Sequence, residues 1–344
     1  MAFAASCERG PEPSSSRASQ TGSPSPEIST TTKATSTTTP HDAAGKIEEH
    51  TFFSRALGVD KRYLVYVPQP YASSERPYPV IVLLHGLGGN ESDWVKGGDL
   101  LKVADSTGLR ALVVTPDGDA GFYVDGATKP DYEACLRDKP PFAPEEAPER
   151  YCVKTPRYET YITEDLLEDV AKRYRVIARR EGRGIGGLSM GGFGALGIGM
   201  RHSDLFAAAA STSGLVSLGY GGPRPYDGLS SVRSLSPSEW GATYPARIAD
   251  HVKVILGTDP EMWKSHDPVA LAASLSPGRL ALRIDCGEQD DFGFNDHARH
   301  LHDVLQGKKI EHEYLMTRGR HDFRYWKARL PEMLSFFGRS LASP

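Results

Sequence analysis

The fold of this chain is decided by the stretch Gly187-Leu188-Ser189-Met190-Gly191. It lies between an extended run, residues 184–188, and a helical run of small residues, 193–200. A serine with a glycine two positions away on each side, between a strand and a helix, is typical of a nucleophile elbow. So tight a turn strains the serine backbone and leaves no room for larger neighbours. The sequence therefore predicts that the Ser189 hydroxyl stands above the sheet edge, at a helix N-terminus.

Two partners follow Ser189 in the order that an α/β-hydrolase requires, first an acid and then a histidine. Asp290 comes shortly after one predicted strand, and His321 comes directly after the next. A serine hydroxyl becomes a nucleophile when an imidazole removes its proton and a carboxylate orients that imidazole. We predict Ser189 as nucleophile, His321 as base and Asp290 as acid, with Asp291 as the alternative acid.

A glycine-rich loop upstream supplies a candidate oxyanion hole. The run at residues 80–84 is continuously apolar, as in a central strand of a parallel sheet, and residues 85–90 (HGLGGN) follow it. Glycines there free the backbone to point N–H groups at a substrate oxygen. We predict the backbone N–H groups of Leu87 and Met190 as the donors. We expect His85 to be structural, because the base position is already filled.

The remaining pattern predicts an α/β fold of the α/β-hydrolase type in a catalytic domain at residues 49–344. Two antiparallel strands, at 50–57 and 62–67, come first, and strands then alternate with helices. This order predicts a mostly parallel central sheet with helices on both faces. Reactive groups then lie on loops at the carboxyl ends of the strands, as the three catalytic candidates do.

Two long connections, residues 117–157 and 215–270, exceed the usual length of loops and should form walls over Ser189. We name Tyr123 and Trp94 as candidate substrate contacts. Ordinary packing of irregular loops is the alternative for all such aromatic residues. The aromatic residues of the two connections include Phe122, Tyr123, Tyr151, Tyr220, Tyr226 and Trp240.

Taken together, these motifs resemble the esterase family within the α/β-hydrolases that includes feruloyl and acetylxylan esterases, S-formylglutathione hydrolases and the mycolyltransferase antigens. The resemblance spans roughly residues 50–340 and implies the same triad and the same two backbone donors. S-formylglutathione hydrolases usually have Ser-Gly-Leu-Thr-Cys where this chain has residues 85–89. The Gly-x-His-x-aromatic-x-x-Trp pattern at residues 319–326 is instead shared with the carbohydrate-esterase and mycolyltransferase branches. The matching stretches are residues 85–89, 115–118, 122–125, 158–162, 187–194, 286–292 and 319–326.

We therefore expect a serine-dependent carboxylic-ester hydrolase that acts through an acyl-enzyme on carbohydrate-linked or phenolic esters, with no cofactor. One alternative is an acyltransferase that moves an acyl group to a sugar hydroxyl, and another is an S-formylglutathione-type thioesterase. A non-catalytic binding module on the same fold is a third. The triad alone does not distinguish hydrolase from transferase, because only the acceptor differs. The sequence leaves the oligomeric state open.

The sequence argues against binding of nucleic acid, dinucleotides or metal and against a membrane-spanning segment. A net charge of −4 indicates no basic surface for nucleic acid, and no apolar run reaches the roughly 18–20 residues that span a bilayer. Two Gly-x-Gly-x-x-Gly matches, 182–187 and 192–197, lie within the predicted strand and the elbow helix, not at a dinucleotide-binding turn. His297, His300 and His302 lack the further ligands of a metal site, so we expect no metal.

The N-terminus and the cysteines favour a secreted or lipid-anchored protein at the cell envelope. Residues 1–48, rich in Ser, Thr and Pro, should be a disordered tail. Small residues before Cys7 resemble the end of a bacterial lipoprotein signal, so we expect a truncated lipoprotein or secreted precursor; a cytoplasmic enzyme is the alternative. Cys135 and Cys152 flank a polar, Pro-rich excursion and are the disulfide candidates, with two unpaired thiols as the alternative. Cys286 should be a buried thiol.

Overall fold

A computed structural model describes residues 44–344, which are built around an eight-stranded sheet and a separate two-stranded pair. The strands are β1 (Lys46–Ser54), β2 (Val59–Val67), β3 (Val80–Leu84), β4 (Leu112–Pro116), β5 (Arg183–Leu188), β6 (Ala208–Thr212), β7 (Tyr220–Gly221), β8 (Arg233–Ser234), β9 (Ala281–Gly287) and β10 (Glu313–Thr317). The large sheet has the order β1-β2-β4-β3-β5-β6-β9-β10, and β7 pairs with β8.

The large sheet is antiparallel at one edge and parallel elsewhere. β1 pairs with β2 and β2 with β4 in antiparallel register, whereas every other neighbouring pair is parallel. The predicted mostly parallel sheet is confirmed. β1 begins at Lys46, which pairs with Val67, so the first strand starts ahead of the boundary predicted at residue 49.

Helices cover both faces of the sheet. A π-helical segment, Tyr161–Leu166, joins the short helix Tyr158–Thr160 to the helix Leu167–Arg173. The helices are α1 (Asp93–Lys96), α2 (Leu100–Thr107), α3 (Tyr132–Arg137), α4 (Tyr158–Thr160), α5 (Leu167–Arg173), α6 (Met190–Arg201), α7 (Pro237–Thr243), α8 (Ala246–Leu256), α9 (Pro260–His266), α10 (Pro268–Ala272), α11 (Phe294–Gly307) and α12 (Phe323–Ser340).

The central strand β3 shows how the core is divided. Successive side chains of a strand point to opposite faces, and all five residues of β3 are buried. Ile81 and Leu83 pack in the cluster that contains α2 and α12 residues, whereas Val80 and Val82 pack in the cluster with α5, α6 and α11. Burial on both faces explains why the strand is continuously apolar in sequence.

The remaining features of the fold concern membrane spans and the cysteines. Within residues 44–344, no helix combines the length and the apolar character needed to cross a bilayer. Cys7 and most of the predicted N-terminal tail, residues 1–43, lie outside the described residues. A disulfide joins Cys135 on α3 to Cys152, and it closes part of the first long connection. Cys286 is buried as a free thiol.

Candidate active site

Ser189 occupies the turn between β5 and α6 with φ 52° and ψ −117°. A positive φ is strained for a residue with a side chain and persists only where the surroundings enforce it. A Cβ on Gly187 would lie 2.3 Å from the carbonyl oxygen of Gly191, and a Cβ on Gly191 would lie 2.4 Å from that of Leu84. The two glycines therefore allow the close approaches that the turn needs.

The structure brings the three predicted catalytic residues together. His321 Nε2 lies 2.9 Å from Ser189 Oγ, and His321 Nδ1 lies 2.7 Å from Asp290 Oδ2. His321 Nδ1–H donates this hydrogen bond to the Asp290 carboxylate, so Nε2 is left free to accept the serine proton. The Asp290 side chain is fully buried, and its other oxygen accepts hydrogen bonds from the backbone N–H groups of Phe292 (3.0 Å) and Phe294 (3.2 Å). These bonds hold the carboxylate in place beside the imidazole.

Asp291, the alternative acid, does not contact the imidazole. Its carboxylate forms an ion pair with Arg320 and accepts a 3.2 Å hydrogen bond from the backbone N–H of His321. The Arg320 hydrogen bond is the main cause that lowers the pKa of this exposed carboxyl. Asp291 is thus placed to hold the loop that carries His321, whereas Asp290 holds the ring itself.

Three aromatic rings that sequence reasoning did not assign enclose His321. Phe292, Phe294 and Trp326 stand edge-on to the imidazole, with ring centroids 4.8, 5.5 and 5.1 Å away. Edge-to-face packing at these distances is favourable and restricts how the ring can rotate. In the sequence, the only indication of this role is that each aromatic residue lies within five positions of Asp290 or His321.

The predicted oxyanion donors lie at the same cavity as the triad. Leu87 and Met190 line it together with Ser189 and His321. Met190 is the first residue of α6, so its N–H has no acceptor inside the helix. The N–H of Leu87 has no hydrogen-bond acceptor among the described residues. Both amides are therefore free to donate to a substrate oxygen.

His85 anchors the loop that carries Leu87. Its ring is buried, its Nε2 accepts a 2.9 Å hydrogen bond from the backbone N–H of Gly118, and its Nδ1 lies 2.8 Å from the carbonyl oxygen of Gly86. With Nε2 as an acceptor, Nδ1–H is the donor to Gly86. The ring thus joins the oxyanion loop to the loop after β4, which is a structural role.

The cavity above Ser189 has a volume of about 390 Å³ and a mostly aromatic and aliphatic wall. Phe122 and Trp240 come from the two long connections, as predicted for that part of the chain. The remaining lining is Gly86, Leu87, Gly88, Gly89, Asp93, Phe142, Leu188, Met190, Leu215, Tyr244, Ile248, Phe292, Phe294, His321, Phe323 and Trp326.

The assignment of Tyr123 and Trp94 as substrate contacts is wrong, because neither side chain lines this cavity. Tyr123 is fully buried beneath it, where its ring packs on Gly194 and its hydroxyl lies 3.3 Å from the carbonyl oxygen of His85. Trp94 is 1% exposed and donates a 3.0 Å hydrogen bond to the carbonyl oxygen of Leu84. Both rings thus pack against the end of β3 and the residue after it, Leu84 and His85, and not against the cavity.

A buried ion cluster fixes the loop between β4 and the cavity. The Lys61 ammonium lies 2.8 Å from both Asp117 and Asp119, and the Tyr158 hydroxyl donates to Asp119 over 2.7 Å. Burial and the neighbouring Asp117 charge raise the pKa of Asp119. Such a desolvated cluster holds together only with its partners in place, so it rigidifies the start of the first long connection.

The three histidines of α11 do not converge on one point. His297 Nε2 lies 2.7 Å from the Tyr244 hydroxyl, and His300 Nδ1 lies 2.8 Å from Ser217 Oγ. His302 Nδ1 instead lies 2.8 Å from His312 Nε2. In the part of the chain that the structure describes, no cluster of three His, Cys, Asp or Glu side chains could hold a metal ion.

Curated relatives of the chain are esterases. Esterase Rv1288 of Mycobacterium tuberculosis is 29% identical over 279 residues, which are 79% of this chain and 55% of that protein. The chain thus spans about half the length of this relative. The acetyl esterase of Caldicellulosiruptor saccharolyticus is 23% identical over 286 residues, covering 80% of this chain and 91% of its own length.

The fold also matches solved structures. A ferulic acid esterase superposes with a TM-score of 0.61 at 24% identity, over 87% of this chain and 99% of that one. An S-formylglutathione hydrolase and MPT51 of Mycobacterium tuberculosis have the same α/β-hydrolase fold. These likenesses show the fold, and the family is shown by sequence. The model of the Esterase family, described as "Putative esterase", matches residues 54–337, and the chain therefore belongs to this family.

Proposed function

We propose that this protein is a serine-dependent carboxylic-ester hydrolase with Ser189 as nucleophile, His321 as base and Asp290 as orienting acid. The observation that carries the proposal is the continuous hydrogen-bonded chain from Ser189 Oγ through the imidazole to the buried Asp290 carboxylate. Membership of the Esterase family supports the same reaction class.

In the acylation step, Ser189 Oγ attacks the ester carbonyl carbon while His321 Nε2 takes the hydroxyl proton. The backbone N–H groups of Leu87 and Met190 donate hydrogen bonds that stabilise the negative charge developing on the carbonyl oxygen. When the tetrahedral intermediate collapses, the carbon–oxygen bond to the alcohol breaks. The imidazolium gives its proton to the leaving alkoxide, and an acyl group remains on Ser189.

In the deacylation step, water takes the position that the alcohol has left. His321 Nε2 removes a proton from the water as it attacks the acyl carbon, and then returns the proton to Ser189 Oγ as the acid product leaves. The buried Asp290 carboxylate stabilises the imidazolium in both halves of the cycle. The edge-on aromatic rings around His321 keep bulk water from competing for its nitrogens.

The cavity wall supports esters with a compact apolar or phenolic part as the substrate class, including esters linked to carbohydrate. Phe142, Phe292 and Phe323 line the cavity without being fully buried, so a phenolic or sugar ring can pack against them. Two similar proteins bear the names ferulic acid esterase and acetyl esterase, which suggests these two acyl groups as the first to assay.

Ester turnover by the wild type and by Ser189→Ala tests the proposal. The wild type should hydrolyse p-nitrophenyl acetate and a feruloyl ester, and the variant should lose about a thousandfold or more of kcat, since the nucleophile is gone. A variant that is folded by circular dichroism yet retains more than about a tenth of the activity would overturn the assignment.

Product analysis separates hydrolysis from acyl transfer. The wild type is incubated with an acetyl or a feruloyl ester, with and without a high concentration of a sugar such as glucose or trehalose. Free acid as the main product in both reactions supports a hydrolase. An acylated sugar as the main product would identify a transferase, in which a sugar hydroxyl replaces water on the same acyl-enzyme.

We further propose that the enzyme works in an oxidising compartment, as a secreted or envelope-attached protein. The bond between Cys135 and Cys152 supports this, because disulfides persist outside the reducing cytosol. Thiol titration of unfolded protein from its natural host, with and without reductant, tests the proposal. Reaction at both cysteines before reduction would instead indicate the cytoplasm.

A further inference from the structure

A second cavity, of about 480 Å³, lies on the far side of the wall of the catalytic cavity. One side of it is the segment closed by the Cys135–Cys152 disulfide, and the other is α8. Its lining includes Pro140, Ala143 and Val254 and is mainly apolar. The proposed reaction makes no use of this cavity.

Phe142 faces the opposite way from its chain neighbours. Pro141 and Ala143 line the second cavity, whereas Phe142 lines the catalytic cavity. The reversal comes from the backbone, since Phe142 has a φ of 65°, in the left-handed region that bulky residues rarely adopt. A strained conformation of this kind needs support from its surroundings and is most often found where a side chain has a functional placement.

Two side chains of α8 hold the Phe142 ring in place. The Arg247 guanidinium lies over its face, 4.4 Å from the centroid, and the His251 ring stands edge-on at 5.2 Å. Residues four apart share one face of a helix, so Arg247 and His251 hold the ring from the same side of α8. His251 Nε2 is itself 2.8 Å from the carbonyl oxygen of Ala120.

His251 also lines the second cavity, so the pair of rings, Phe142 and His251, stands between the two cavities. We propose that Phe142 is a specificity-determining residue: it closes the catalytic cavity against long hydrocarbon chains and separates it from the second cavity, which receives such a chain once the ring is removed. The proposal rests on the proposed esterase function and identifies what limits its substrate.

The test compares esters of increasing chain length in wild type, Phe142→Gly and Phe142→Ala. Glycine accepts the positive φ without strain, so Phe142→Gly opens the partition with the backbone unchanged. Phe142→Trp is the matched control, because it keeps an aromatic ring at the partition. The readout is the ratio of kcat/KM for a long-chain ester to kcat/KM for acetate.

We expect this ratio to rise about tenfold or more in Phe142→Gly and Phe142→Ala and to stay near the wild-type value in Phe142→Trp. Adding Ala134→Trp, which fills the second cavity from α3, to Phe142→Gly should return the ratio toward that of the wild type. Two ester series, p-nitrophenyl esters of longer acids and acetates of longer alcohols, show which side of the ester carries the chain.

An unchanged ratio in folded Phe142→Gly and Phe142→Ala would overturn the proposal. So would a raised ratio that survives Ala134→Trp, because the chain would then extend elsewhere. Failure of the proposed function looks different: the wild type itself would hydrolyse no ester of either series. Thermal unfolding of each variant shows whether it is folded under the assay conditions.

Discussion

His321 and Asp290 are joined by a 2.7 Å hydrogen bond between Nδ1 and Oδ2, although the Asp291 carboxylate is the next along the chain. The Asp290 side chain is fully buried, whereas Asp291 is partly exposed beside Arg320. Two adjacent carboxylates thus have different roles: one orients the imidazole, and the other holds the loop. A pair of substitutions can separate these roles.

Asp290→Asn should be far more harmful to catalysis than Asp291→Asn. An amide at position 290 can present its N–H₂ to Nδ1 and favour the wrong tautomer, so kcat should fall by about 10³- to 10⁴-fold. Asp291→Asn removes an exposed ion pair worth at most about 1 kcal/mol, so kcat should change by less than about fivefold. Steady-state kinetics on one p-nitrophenyl ester measures both, and a reversed order would assign the acid role to Asp291.

Gly191→Ala should destabilise the protein and impair catalysis together. The added Cβ would lie 2.4 Å from the carbonyl oxygen of Leu84 and 2.6 Å from that of His85, so the elbow must move away from the oxyanion loop. Overpacking of this kind costs about 1–3 kcal/mol in the free energy of unfolding, which urea denaturation would measure.

Gly338→Ala is the matched control for Gly191→Ala. Gly338 lies in α12, and a Cβ added to it would have no neighbour within 4 Å among the described residues outside its own helix. Alanine there should raise the free energy of unfolding by about 0.5–1 kcal/mol without affecting turnover, because it restricts the unfolded chain and favours the helix. Similar stability changes in the two variants would refute the steric account of the elbow.

Glu159 should stabilise the fold in a pH-dependent manner. Burial alone would raise its pKa, but hydrogen bonds from His202 and Arg201, at the far end of α6 from Ser189, lower the pKa to about 2. A carboxyl whose pKa is lowered on folding contributes stability above its ordinary pKa of 4.5, and the contribution is lost as the pH falls through about 2. Each pKa unit corresponds to about 1.4 kcal/mol, so the fall from 4.5 to about 2 predicts that Glu159→Gln loses about 3 kcal/mol at pH 7.

Urea denaturation of the wild type and Glu159→Gln between pH 7 and pH 2 checks this pH dependence. The difference between the two proteins should be constant above about pH 5 and shrink as the pH falls further. Glu168→Gln, which breaks an exposed network with Arg55 and Lys172, is the control and should change stability much less. A difference that is independent of pH would rule out the Glu159 carboxylate as its source.

The arrangement of the catalytic candidates could be predicted because it depends on local patterns. The glycines around Ser189 indicate a tight turn, and Asp290 and His321 each follow a strand that ends at the same edge of the sheet. Parallel strands bring their carboxyl ends together whatever the loops between them contain. Residues far apart in sequence therefore meet without any need to predict the loops.

The lining of the cavity could not be predicted in the same way, because the direction of a loop side chain depends on single backbone angles. Phe122 and Tyr123 both have positive φ, yet Phe122 lines the cavity and Tyr123 is buried beneath it. Phe142 faces the catalytic cavity because its own backbone has a positive φ, in the left-handed region. Composition identifies such loops as aromatic-rich, but packing decides which of the rings meet substrate.

Whether Ser189 is the nucleophile is tested most directly by the intact mass of the protein after reaction with a fluorophosphonate probe, for wild type and Ser189→Ala. If Ser189 is the nucleophile, the wild type gains one phosphonyl group and loses ester turnover in parallel, because the His321-activated Ser189 oxygen attacks phosphorus and displaces fluoride. The folded variant should gain nothing. Equal labelling of both proteins, or a wild type that hydrolyses esters yet stays unlabelled, would contradict Ser189 as the nucleophile.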